Sequence, residues 1–301
     1  MRRAARSSLV RAAVRLASWL PLPVALWLGS LAGRLAWLLL AGERRLALEH
    51  LALAFPDLPE EERRRIGRGS FVHLAQAAME AVAVRRIDPR LVEYVELSPA
   101  GERLMKEAMA AGRGFVFVTG HVGNWELLAR RIARAGIPPV VIARRAWDEK
   151  VDALIASFRA SGGVPTLWRE DAGSARALLR AMRDGKALGI LIDQDTQVQG
   201  VFVPFFGRPA FTPRAAADLA LRFRAPVFVG WSRRRGQAGQ GYHLELEPVP
   251  YDPDAPDQES EAVRITASCT ARIERVIREN PAEWVWMHRR WRTQPSTPPA
   301  S

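Results

Sequence analysis

The sequence predicts an α/β protein with a mainly parallel central sheet flanked by helices and with membrane-associated helices at its N-terminus. Two observations carry this reading. From residue 114 onward, short apolar runs of strand length alternate with segments of helix length, the order that builds a parallel sheet covered on both faces. Before that, residues 1–15 carry Arg2, Arg3, Arg6, Arg11 and Arg15 without an acid, and Leu16 to Gly33 carries no charge. Such a run approaches the roughly 20 apolar residues that span a bilayer.

Taken in order, the N-terminal segment admits three readings: a cleaved signal peptide, a spanning or re-entrant helix, and a pair of interfacial helices. Pro21 and Pro23 interrupt a straight helix, while Trp19, Trp27 and Trp37 suit a half-wet interface. No small-x-small cleavage site precedes a polar segment, which favours stable attachment by residues 1–42. Residues 43–56 then read as a helix. Pro59-Glu60-Glu61-Glu62 opens another, with acids where the helix dipole prefers them. Strands are expected at 114–119, 139–143, 164–168, 187–192, 226–231 and 242–247. Helices are expected at 124–135, 149–160, 174–183, 213–223 and 259–279. Residues 43–293 form one domain in this reading, and the Pro/Ser-rich tail 294–301 is expected to be disordered.

Composition narrows the function. The formal charge of +12 comes largely from arginine, which draws phosphates, acidic proteins and anionic lipid headgroups. No zinc finger, basic zipper or flanked aromatic platform is present to read nucleic acid. The single cysteine, Cys269, excludes an intramolecular disulfide and suits a small core position. The scattered histidines give no metal-ligand spacing, so no metal and no bound cofactor are expected.

The chemistry concentrates in Thr119-Gly120-His121-Val122-Gly123-Asn124-Trp125-Glu126, where the first buried strand gives way to a helix. Ligands of parallel sheets sit beyond the carboxyl ends of the strands. On one continuous helix His121 and Glu126 would point about 140° apart. They converge only if His121 occupies the turn and Glu126 the first helical turn. Gly120 and Gly123 permit that backbone, and Asn124 suits the N-cap. A carboxylate on one imidazole nitrogen leaves the other free to take a proton from a hydroxyl. On spacing alone, the competing reading is a histidine that caps the turn and a glutamate that complements the dipole.

The block Gly120-His121-Val122-Gly123-Asn124-Trp125-Glu126 resembles the G-H-x-G-N-W-E motif of the bacterial lipid A late acyltransferases, within the lysophospholipid acyltransferase superfamily. Glu49 to Pro56 resembles that family's N-L-x-x-x-F-P helix end, with His50 where Asn is usual. Arg144 after the second strand and Arg159 before Gly162-Gly163 follow the family pattern. So do Asp193-Gln194, Phe205-Phe206-Gly207 with Thr212-Pro213, and the stretch Pro281 to Trp291 with its P-x-x-W-x-W-x-H-x-R ending. The matches run in order from residue 49 to 291.

The resemblance implies a glycerolipid-acyltransferase-like fold and a membrane enzyme that moves a fatty acyl chain from a thioester to a lipid hydroxyl, without an acyl-enzyme. His121 would be the general base and Glu126 its orienting partner. Gly123 and Asn124 would contribute to the substrate site. Arg159 would stabilise the thioester oxyanion or hold a donor phosphate, with a helix-surface ion pair as the alternative. Arg144 would hold a headgroup phosphate, and Asp193 and Gln194 would support the site. Phe205, Phe206 and Gly207 would form an apolar loop over the acyl chain, or simply core. The donor would be acyl carrier protein, or coenzyme A, as acyl co-substrate. The acceptor would be a glycolipid, foremost a lipid A precursor, at the cytoplasmic face of the bacterial inner membrane. Anionic membrane lipids are expected partners, with Arg63 to Arg65, Arg85-Arg86, Arg130-Arg131 and Arg233 to Arg235 as candidate contact patches. Acylation of a phosphatidylinositol mannoside or a lysophospholipid, lipid hydrolysis, and a non-catalytic basic membrane protein are the other readings.

Overall fold

The computed structural model describes residues 19–145 and 149–295. The basic start at residues 1–15 and the tail from 296 lie outside the described residues. Gln294, at the head of the expected tail, is held by a 2.8 Å bond from its amide to the Trp291 carbonyl.

The apolar N-terminal run forms one helix, α1 (Leu22–Leu39). The sequence expectation that its prolines break it is corrected: Pro21 sits at the N-cap and Pro23 in the first turn. A missing N–H costs nothing there, and the fixed φ of proline already suits a helix. Leu40 separates α1 from α2 (Ala41–Ala54), which is followed by α3 (Glu60–Val82). Helix α1 lies antiparallel against α3, and the contact depends on small residues. A Cβ on Gly33 would come within 2.5 Å of the Val72 Cα, and one on Gly29 within 3.1 Å of Gln76. Trp37 packs edge-on against Phe71 at 5.3 Å. The opposite stripe of α1 (Val24, Trp27, Leu31, Leu35 and Leu38) stays exposed. By length and composition alone, α1 could cross a membrane.

Three short helical turns (Val84–Ile87, Asp88–Arg90 and Leu91–Tyr94) lead into β1 (Val95–Leu97) and α4 (Pro99–Ala110). The predicted alternation then appears as β2 (Phe115–Thr119), α5 (Trp125–Arg134), β3 (Pro139–Ala143), α6 (Glu149–Ser161), β4 (Thr166–Trp168), α7 (Ser174–Arg183) and β5 (Ala187–Leu191). After a hairpin of β6 (Gly200–Phe205) and β7 (Arg208–Pro213), the chain closes with α8 (Ala215–Phe223), β8 (Val227–Arg234), β9 (Tyr242–Pro248) and α9 (Gln258–Glu279). Seven strands form the main sheet in the order β1-β9-β8-β2-β5-β3-β4. Every pairing is parallel except β8 with β9.

Strand β2 shows how the pattern becomes two cores, since alternate side chains point to opposite faces. Val116 and Val118 join Ala216, Leu219, Ile265 and Ile273 of α8 and α9. Phe115 and Phe117 join Leu127, Leu128 and Ile132 of α5 and Met105 of α4. Cys269 is buried in the first of these cores, and burial pushes its thiol up to about 12.

Candidate active site

Strand β2 delivers the chain to the carboxyl edge of the sheet, and residues 120–124 turn it into α5. Gly123 has φ +63°, and a Cβ there would lie 1.8 Å from the Ser232 carbonyl oxygen. Only glycine fits both conditions. Gly120 gives room on the other side, where a Cβ would meet an Asp193 carboxylate oxygen at 2.9 Å. Asn124 caps α5 as predicted, its Oδ1 accepting from the Leu127 N–H at 3.0 Å.

His121 is partly exposed, with 21% of its side chain accessible, and its ring is held by a buried carboxylate. The carboxylate belongs to Asp193, and the expectation that Glu126 orients His121 is corrected. His121 Nδ1–H donates to Asp193 Oδ1 at 2.8 Å, and the His121 backbone N–H donates to Asp193 Oδ2 at 2.6 Å. The Trp284 indole N–H also donates to Oδ2, at 2.7 Å. Burial pushes the Asp193 carboxyl up. The opposing charge of His121, with bonds from His121 and Trp284, outweighs burial and brings it to about 2. An ionised Asp193 is an acceptor only, so Nδ1 carries a proton, and it is the neutral form of the ring that has its free lone pair on Nε2. Asp193 wins over Glu126 because β5 lies beside β2, so the two strand ends open at the same edge.

Glu126 is engaged elsewhere. Arg159 on α6 forks its carboxylate, with Nε donating at 2.9 Å and Nη2 at 2.6 Å. Both side chains are largely buried, at 20% and 14% accessible, so this is no surface ion pair. The third guanidinium nitrogen, Nη1, is buried without an acceptor among the described residues. Glu126 and Arg159 help line a small cavity of about 40 Å³ between α5 and the strands, together with Phe117, Leu128, Ile132, Val141 and Gly189.

The other predicted residues divide. Gln194 is half-buried beside Asp193 in the turn after β5, and Arg144 is exposed at the end of β3, the same sheet edge. Asn124 is buried, and its side chain is spent on the helix cap and on Glu80. Its neighbour Gly123 is bonded on both sides, its carbonyl accepting from His73 Nε2–H at 3.0 Å and its N–H donating to the Glu283 carbonyl at 3.0 Å. Both residues thus support the turn. Phe205 and Phe206 do not form a loop over an acyl chain. Phe205 ends β6, Phe206 and Gly207 make the hairpin turn at φ +52° and +71°, and the two rings stack with Phe55, Trp284, Trp286 and Trp291 in an aromatic core.

Three supporting residues escaped the sequence reading: Trp284 as a donor to Asp193, His73, and Glu80. Trp284 stood in a motif already noticed, and its indole N–H demands a partner when buried. His73 and Glu80 lie on the buried face of α3 with Ile66, Ser70 and Ala77, a face that no run of apolar residues marks in the sequence. The patch reading also changes. Arg130 and Arg131 are buried, Arg130 bonded to Asp88 and Arg131 to the Val95 carbonyl, so neither meets a membrane. His50, where Asn was expected, is buried and donates to the Trp286 carbonyl at 3.0 Å.

Comparison with known proteins gives the class first. The chain is similar to lipid acyltransferases over most of its length and is itself an O-acyltransferase. It is 26% identical to the lipid A biosynthesis lauroyltransferase of Escherichia coli (strain K12), over 93% of this chain and 89% of the relative. It is 25% identical to the lipid A biosynthesis palmitoleoyltransferase of the same organism, over 92% and 87%. A phosphatidylinositol mannoside acyltransferase of Mycolicibacterium smegmatis is 24% identical, over 78% and 74%. The model of the bacterial lipid A biosynthesis acyltransferase family matches residues 1–293, and the chain belongs to that family.

Proposed function

We propose that the protein transfers a fatty acyl chain from the thioester of an acyl carrier protein to a hydroxyl of a lipid A precursor, at the cytoplasmic face of the inner membrane. The observation that carries the mechanism is the bond from His121 Nδ1–H to Asp193, which leaves Nε2 as a base at the sheet edge. Nε2 takes the proton of the acceptor hydroxyl as its oxygen attacks the thioester carbonyl. The tetrahedral intermediate collapses, the C–S bond breaks, and the thiolate leaves with the proton from Nε2. Asp193 steadies the imidazolium between the two transfers. A base of this kind contributes about 10²–10⁴ in rate. Arg159 Nη1, a buried donor without an acceptor among the described residues, is suited to the developing oxyanion. The cavity beside Glu126 and Arg159 is largely apolar but, at about 40 Å³, has to widen to take an acyl chain.

Anionic lipid and acidic carrier protein both suit a chain of charge +12. The exposed apolar stripe of α1 suits the bilayer. The relatives' names support lipid A over the mannoside as acceptor, since two lipid A enzymes match over more of the chain. The test is an assay of membranes carrying the wild type or His121→Ala, supplied with labelled acyl-carrier-protein thioester and either lipid A precursor, mannosylated lipid or lysophospholipid. Transfer to the lipid A precursor alone, lost in the variant, is the expected result. Release of free fatty acid without transfer would favour hydrolysis, and equal activity in His121→Ala would refute the mechanism.

A further inference from the structure

Beneath the catalytic turn lies a carboxylate that the mechanism does not use. Glu80, on α3, is fully buried. Its Oε1 accepts from the Tyr94 hydroxyl at 2.7 Å. Its Oε2 accepts from the Tyr242 hydroxyl at 2.7 Å and from Asn124 Nδ2 at 2.8 Å. Arg234 Nη1 stands 3.9 Å from Oε1, itself almost fully buried. A charge so deep is costly unless every lone pair is used, and here it is met by three donors and one cation. Burial, with Glu80 next in effect, raises both phenols far above their ordinary range, so each hydroxyl keeps its proton to donate.

We infer that Glu80 is a positioning residue for acyl transfer, acting through Asn124 to fix the turn that carries His121 and Glu126. An ionised carboxylate can only accept, so it obliges Asn124 to present its NH₂ downward. Oδ1 is then left to cap Leu127 N–H. The same residue is pinned through its backbone, where Asn124 N–H donates to Ser232 Oγ at 2.9 Å. Asn124 is therefore a hinge pin between a buried charge and the first turn of α5. A cap alone would be served as well by aspartate. The amide is needed because its partner below is an anion.

That difference supplies the test, which uses the full chain in detergent and rests on the acyl-transfer reading for one of its two readouts. Asn124→Asp preserves the cap but sets two carboxylates against each other across 2.8 Å. A displacement of the turn by about 1 Å costs about 10²-fold in turnover, so kcat should fall by about that factor with KM within about threefold. Adding Glu80→Gln converts the pair to an amide donating to a carboxylate, the mirror of the natural bond. The double variant should recover to within about tenfold of wild type. Amide hydrogen exchange at Leu127 and Leu128 should quicken in Asn124→Asp and slow again in the double variant. Wild-type turnover in Asn124→Asp, or no recovery of exchange or turnover on adding Glu80→Gln, would overturn the inference. A wild-type chain that transfers no acyl group, with the exchange pattern intact, would refute the acyl-transfer reading and leave the Glu80–Asn124 pair standing.

Discussion

At His121 the ring is held by a carboxylate 72 residues further along the chain, and two of that carboxylate's other bonds come from His121's own backbone and from Trp284. Asp193 is thus fixed by more than the residue it serves, and its replacement should act on chemistry before fold. Asp193→Asn keeps the shape but turns one acceptor into a donor, facing either the ring N–H or the two donors on the other side. If the ring loses its acceptor, its proton moves to Nε2 and the base is lost. We expect kcat to fall by about 10²–10⁴-fold with KM little changed. A drop of less than about threefold would show that Asp193 does not set the tautomer. Arg159 makes a different demand, because it holds Glu126 by a fork and has a third nitrogen without an acceptor among the described residues. Lysine carries the charge but neither the fork nor the spare donor. Arg159→Lys should therefore lose at least about tenfold in kcat/KM, and steady-state assays that find it wild-type would reduce Arg159 to a counter-charge.

Among the elements, α1 is the one whose packing can be tested without touching the site. Gly33 lies so close to Val72 that any side chain must push the helices apart. Gly42, on the neighbouring helix α2, has open space around its Cβ position. Gly33→Leu should cost about 1–3 kcal/mol, read as a lower Tm, whereas Gly42→Leu should leave Tm unchanged. Equal effects would mean that α1 and α3 are not in contact along this face. Local pattern made the repeating strand and helix order legible, since alternation and end signals are encoded in neighbouring residues. It also found Asn124 as a cap and the site's place at the sheet edge. Three things were not legible. The prolines of α1 stop a helix or start one according to position, and the sequence reading placed them inside the helix. For Phe205 and Phe206 the sequence leaves a loop over an acyl chain and simple core both open, and the core is the outcome because their partners are as distant as Phe55 and Trp291. The choice of Asp193 over Glu126 depends on strand neighbours, and order along the chain does not reveal which strands adjoin.

Across the whole molecule, two buried histidines and a half-buried third, His288, lie where separate parts of the chain meet, each with its pKa lowered. His73 on α3 bonds the catalytic turn, and His50 on α2 bonds the segment carrying Trp286. His288 lies in that same C-terminal segment. Burial is the largest cause of each shift: His73 falls to about 3, His288 to about 4, and His50 moves down. A histidine whose folded pKa is depressed favours folding fully above its unfolded value of about 6.5. Below that, the unfolded chain binds the extra protons and stability falls until the folded pKa is reached. Asp193 runs on another window. Its folded value of about 2 lets its contribution persist until pH drops under the ordinary carboxylate range. Between pH 6.5 and 4, therefore, the histidines govern. Each costs up to about 1.4 kcal/mol per pH unit, so two together can consume much of a stability of about 5–15 kcal/mol. The wild-type Tm should hold from pH 8 to 6.5 and then fall steeply toward pH 4. His73→Gln, which keeps a donor for the Gly123 carbonyl, should start lower but decline less steeply by about one proton's slope. Thermal melts across that range decide it: parallel slopes for the two proteins would mean that His73 is already protonated in the fold, or free to become so.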